Sequence, residues 1–172
     1  MAEWLTHVLF AYALFTALSW TTGWIDQRWI AVAMIGSILP DLNRFRLVVS
    51  DGLMSYLVGV PFSWWGIHTI GGVLLLCGIG ALLFETVSEE RRAFASLLGG
   101  ALLHVVVDLP QRYADGYMIS SSYAFPVPFP RFPTPGWYVS SDRWVVVVAI
   151  VLAFAVFVAD SCRETVEDNG ES

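Results

Sequence analysis

No lysine occurs in the 172 residues. Nine arginines are the whole strongly basic complement, against fifteen aspartates and glutamates, for a net charge of −6. Neutralising a nucleic-acid backbone needs clustered basic groups, so direct DNA or RNA binding is not expected. Charge of either sign is scarce: 14% of the residues are charged and 56% are hydrophobic, where soluble domains carry about 25% charged residues. With a mean hydropathy of +0.64, an ordinary soluble domain is excluded. Cysteine is nearly absent. Cys77 lies inside an apolar run and Cys162 at the start of a polar tail, so two free thiols are expected rather than a disulfide. No basic stretch precedes the first apolar run and no small-residue cleavage site follows it, so that run is expected to be retained.

Apolar segments dominate what is present. The first runs from Trp4 to Trp20, with tryptophans at both ends as interfacial anchors. The second, Trp29 to Leu39, is too short to span a bilayer and stops at Pro40. Residues 47–66 read as a mixed loop of weak amphipathic character, ending in the aromatic run Pro61 to Gly66. The third segment, Ile67 to Phe84, carries Gly71, Gly72, Gly78 and Gly80, small residues that let membrane helices approach closely. A charged turn, Glu85 to Arg92, leads into the fourth, Ala93 to Leu109, which stops at Pro110; the fifth is Trp144 to Ala159.

The pattern predicts an all-α integral membrane bundle of four to five membrane-embedded helices, spanning residues 1–160 as one domain. Residues 161–172 are expected to form an acidic, disordered tail. Residues 111–143 are long for a connection, and their proline- and aromatic-rich part (123–138) is expected to be extended and to act as a cover. A multi-pass location in the cell membrane follows, with the lipid bilayer as the first partner. The side of the membrane is open, because five arginines fall in the loops of one side and four on the other.

Histidine is the other scarce residue. His7, His68 and His104 are the only three. His104 and Asp108 stand four apart in an apolar helix and so share a face. If the segments cross alternately, His7, His68, His104, Asp108 and Asp41 all fall at one end of the bundle, as does the long loop. Each has an ordinary reading alone: His104 with Asp108 as an intrahelical pair, Asp41 as a helix terminator, His7 and His68 as interfacial residues. Their joint placement is what points to a site, since ionisable groups in membrane helices are costly and face partners or cavities. Imidazole nitrogens and carboxylate oxygens are ligands for a divalent metal such as zinc, and such a metal activates water for hydrolysis. The expected metal-ligating set is His7, Asp41, His68, His104 and Asp108. The competing reading is a non-catalytic membrane scaffold or interaction protein, with a structural His/Asp cluster and the acidic tail as a contact for a protein partner. A metal or proton transporter is disfavoured, because the polar residues gather at one end.

Thr6-His7, Leu39-Pro40-Asp41-Leu42-Asn43, Gly66-Ile67-His68-Thr69 and His104-x-x-x-Asp108, in this order, resemble the YdjM-like family of inner-membrane-associated, LexA-binding proteins described as metal-dependent hydrolases. The resemblance covers most of residues 4–130. It implies a kinship with zinc-dependent phospholipases C and nucleases, and hence a phosphoester or lipid-headgroup substrate. It assigns the metal to the same five residues. Two positions depart from the family pattern: Asn43 replaces its second aspartate, and Trp64-Trp65 stand where it has His-Arg, with His68 one place early. These departures imply fewer metals than the family pattern would hold.

Overall fold

The computed structural model describes residues 2–112, 132–139 and 141–170. Among them the chain forms six α-helices and two short 3₁₀ segments. Helix α1 is Ala2–Ser19, α2 Gln27–Gly36, α3 Asp51–Val58, α4 Ile70–Ala81, α5 Val87–Asp108 and α6 Arg143–Gly170. The 3₁₀ segments are Leu39–Leu47 and Trp64–His68. Both cysteines are free, Cys77 buried and Cys162 exposed.

Local side-chain chemistry sets the boundaries. Asp26 caps α2 by accepting from the backbone N–H of Arg28 (2.9 Å) and Trp29 (3.2 Å), which starts that helix ahead of the apolar run. Thr86 and Glu89 form a capping box. The Thr86 hydroxyl accepts from the Glu89 N–H at 3.2 Å and donates to its carboxylate at 3.0 Å. The charged stretch read as a turn is therefore the first part of α5. Arg28 adds a 2.7 Å ion pair to Glu89, tying the start of α2 to the start of α5. The stretch read as a mixed loop contains α3, capped by the Ser50 hydroxyl and closed by Gly59 at φ +70°, the left-handed backbone that glycine adopts without strain.

Helix α5 is the centre of the bundle, with α2 and α4 packed against it, while α1 packs on α6 and α2. The core is built from small residues, including the fully buried Ala11, Ala33, Ala93, Ala101 and Ala149, around the large anchor Trp29. The tightest approach is between α2 and α5. A Cβ at Gly100 would lie 1.9 Å from the Ala33 carbonyl oxygen, and one at Gly36 2.2 Å from that of Leu97. This close crossing brings the Ser37 carbonyl within reach of α5 one turn beyond Gly100.

Among the described residues one helix, over Arg143–Arg163, is long and apolar enough to cross a membrane; Trp4–Ser19 and Ile70–Ala81 are shorter apolar helices. The surface of α6 is apolar and open, with Val147, Val151, Phe154 and Phe157 exposed. Four to five spans are thus not established by helix length, since α2 and α4 have 10 and 12 residues. Helix α6 also runs past Ala159 to Gly170, into the stretch expected as a disordered tail. The Trp20 indole N–H donates to Asp160 Oδ1 at 2.7 Å and fixes the end of α1 to this extension.

Candidate metal centre

All five polar residues of interest meet at one end of the bundle. Helix α1 supplies His7 and α5 supplies His104 and Asp108. The 3₁₀ segments, which pack on each other, supply Asp41 and His68. His7, Asp41, His68 and His104 are each at most 5% exposed. Asp108 bridges two imidazoles: its Oδ1 lies 3.4 Å from His7 Nε2 and its Oδ2 3.3 Å from His104 Nε2. The His7 and His104 rings stack at 3.8 Å between centroids, and His68 meets His104 edge-on at 5.6 Å.

The backbone fixes two of the imidazoles. His68 Nδ1 lies 2.7 Å from the Pro40 carbonyl oxygen, and His104 Nδ1 2.8 Å from that of Ser37. A carbonyl only accepts, so Nδ1 carries the proton in both rings and Nε2 of the neutral ring is left with a lone pair. Imidazoles that ligate metals are held this way, with the second ring nitrogen donating to a carbonyl or carboxylate. Burial pushes the His68 imidazole down to about 4, against the opposing effect of its bond to Pro40. It is therefore neutral at physiological pH. Burial also raises the Asp41 carboxyl. Arg44 Nε approaches Asp41 Oδ1 at 3.3 Å, and the Trp4 indole donates to the same carboxylate.

The cluster leaves polar atoms unsatisfied. His7 Nδ1, Asp41 Oδ2 and His104 Nε2 are buried without a hydrogen-bond partner. The 3.3 Å contact of His104 Nε2 with Asp108 is thus not aligned as a hydrogen bond. Each orphaned atom of this kind costs about 1–3 kcal/mol, so three in one place call for a ligand. The residues that own them also bring ligand atoms to within 4.8 Å of one another, as do His68, His104 and Asp108 in a second group. Either group could hold a metal ion, and His104 belongs to both.

Sequence reasoning missed the supporting groups. The carbonyls of Ser37 and Pro40 carry no residue-type signal, because any residue supplies a carbonyl. Tyr138 belongs to the stretch expected as a cover, but its individual role was not legible. With Thr6, His7, Val107, Asp108, Gln111, Asp142 and Val145 it lines a narrow cleft beside the His7–Asp108 pair. Its hydroxyl donates to the Val107 carbonyl, and burial raises its phenol above the ordinary tyrosine range. Of the expected proline- and aromatic-rich cover (123–138), residues 123–131 lie outside the described residues, while 132–138 return the chain to this cleft. Tyr138→Phe is expected to lower stability by about 0.5–1.5 kcal/mol, the net worth of one hydrogen bond, read as a small fall in the thermal midpoint.

An all-helical chain with a membrane-length helix and a buried histidine–carboxylate cluster is the class of protein these features define. The chain belongs to the YdjM inner membrane protein family, whose family model matches residues 1–166. No curated protein and no solved structure matches the chain.

Proposed function

We propose that this protein is a membrane-bound, metal-dependent hydrolase acting on a phosphoester or lipid-headgroup substrate. In this reading His7, Asp41, His68, His104 and Asp108 hold one or more divalent ions, zinc being favoured by the nitrogen and carboxylate donor set. The observation that carries it is the arrangement of His68 and His104. Both direct Nδ1 to a backbone carbonyl, leaving Nε2 for the carboxylate-rich interior of the cluster. A bound divalent metal would supply Lewis-acid activation of water there. The chain's own residues do the rest. The Ser37 and Pro40 carbonyls fix ring tautomers, Asp108 Oδ1 orients the His7 imidazole, and the small-residue core holds α1, α2 and α5 at the required distance. The open apolar faces of α4 and α6 support a multi-pass arrangement with α1, α4, α5 and α6 in the bilayer and the site at one end of it.

The test is hydrolysis by the full chain in lipid nanodiscs, using an aromatic phosphodiester and phospholipid vesicles as substrates. Activity is expected to vanish after chelation and return with zinc, and Asp108→Asn is expected to lower it by about 10–100-fold, as for a group that orients ligands. Bound metal with no hydrolysis of either substrate would overturn the catalytic reading and leave a structural metal site in an interaction protein.

A further inference from the structure

Helix α3 is the one helix with no buried residue, yet the hairpin that carries it is firmly built. Asp51 accepts from the Trp64 backbone N–H at 3.3 Å and from the Ser63 hydroxyl at 3.4 Å. The Ser55 hydroxyl accepts from the Phe62 N–H at 2.9 Å and donates to the Asp51 carbonyl at 2.8 Å. The Trp64 indole donates to the Val49 carbonyl at 2.7 Å, and its ring stacks on Phe45 and meets Phe62 edge-on. A segment tied by this many internal bonds is a shaped element. Its outer surface is nevertheless apolar. Tyr56 is 84% exposed, Val48 83%, Leu47 81% and Leu57 66%, with Val60 and Trp65 also open. Contiguous exposed apolar surface on a rigid element marks an interaction site.

The base of the hairpin carries a cation. Arg44 pairs with Asp41, but the Arg46 guanidinium lies over the exposed Trp65 ring at 5.8 Å, with no acid paired to it among the described residues. An apolar outer surface with a tryptophan and an arginine at the base is the order of groups met by an element lying in a membrane interface. We propose that residues 45–65 are a docking finger that inserts into one leaflet of a phospholipid bilayer, with Leu47, Val48, Tyr56, Leu57 and Val60 among the acyl chains and Arg46 at the lipid phosphates. The two ends of the finger are the 3₁₀ segments that carry Asp41 and His68, so its insertion sets those residues at headgroup depth. The docking itself does not rest on the hydrolase reading.

The test uses the full chain with Cys162→Ser, in vesicles of equal parts phosphatidylcholine and phosphatidylglycerol. A nitroxide is placed at Tyr56→Cys; Cys77 is fully buried and stays unlabelled. Val151→Cys, exposed on α6, and Glu85→Cys, in an exposed turn, serve as lipid and aqueous references. Collisions with a water-soluble nickel chelate are expected to fall severalfold at position 56 relative to position 85, while collisions with oxygen rise toward those at position 151. Because the Tyr56 side chain is almost wholly exposed, loss of the fold is not expected, and Leu57→Cys gives a second reading of the same face. Nickel access equal to that at position 85 would overturn the proposal. So would dipolar broadening between labels of two chains, which would assign the face to a second copy. Metal content measured on the same samples reports on the hydrolase reading separately.

Discussion

His104→Ala is expected to strip the protein of bound divalent metal, lowering affinity by at least ~100-fold, beyond the 10–100-fold typical of outer-shell changes. His104 is the residue common to both candidate ligand groups. It is also fully buried, stacked on His7 and edge-on to His68. Its removal takes away one nitrogen ligand and the wall that fixes the other two rings. Stability falls as well, because the Ser37 carbonyl loses its donor at a cost of about 1–3 kcal/mol. Two measurements separate these effects: metal content by mass spectrometry and the thermal midpoint with and without added zinc. Zinc is expected to raise the midpoint of the native protein, since a ligand that binds only the folded state stabilises it, and to leave that of His104→Ala unmoved.

Gly100→Ala, a change of one methyl group, is expected to be as damaging to the fold as any single substitution in the chain. The new Cβ would sit 1.9 Å from the Ala33 carbonyl oxygen and 2.8 Å from the Ser37 amide nitrogen. Neither is a side chain that can swing away, so α2 and α5 must separate. Overpacking of this kind costs about 1–3 kcal/mol and occasionally more. The separation falls one turn from His104 and draws the Ser37 carbonyl away from its ring, so metal affinity is expected to fall along with the thermal midpoint. An unchanged midpoint would show that the crossing has slack that the distances deny.

The residues of the site were legible in the sequence because histidine is so scarce and the surrounding helices so apolar. An imidazole at position 7, 68 or 104 has an ordinary reading alone, but alternating segments send all three to one end. The altered motif around His68 implied fewer metals, and the structure gives that ring a buried place and a backbone partner of its own. The helices were legible as apolar runs, but their ends were not. Asp26 and Thr86 extend α2 and α5 into stretches that read as polar turns, by capping bonds worth about 1 kcal/mol each. Helix α3 was missed because it buries nothing, so it leaves only the weak amphipathic signal of a surface element. The number of membrane crossings is not established by helix length. Short apolar helices such as α2 fill a core as well as a bilayer, and only α6 has the length to settle the matter alone.

The account stands most directly on the metal. The measurement is the divalent metal content of the full chain purified in mild detergent and dialysed against zinc, compared with His104→Ala and His68→Ala prepared in parallel. Stoichiometric zinc is expected in the native protein, with near-complete loss in His104→Ala and a marked fall in His68→Ala. A native protein that binds none, or equal metal in all three preparations, would contradict it.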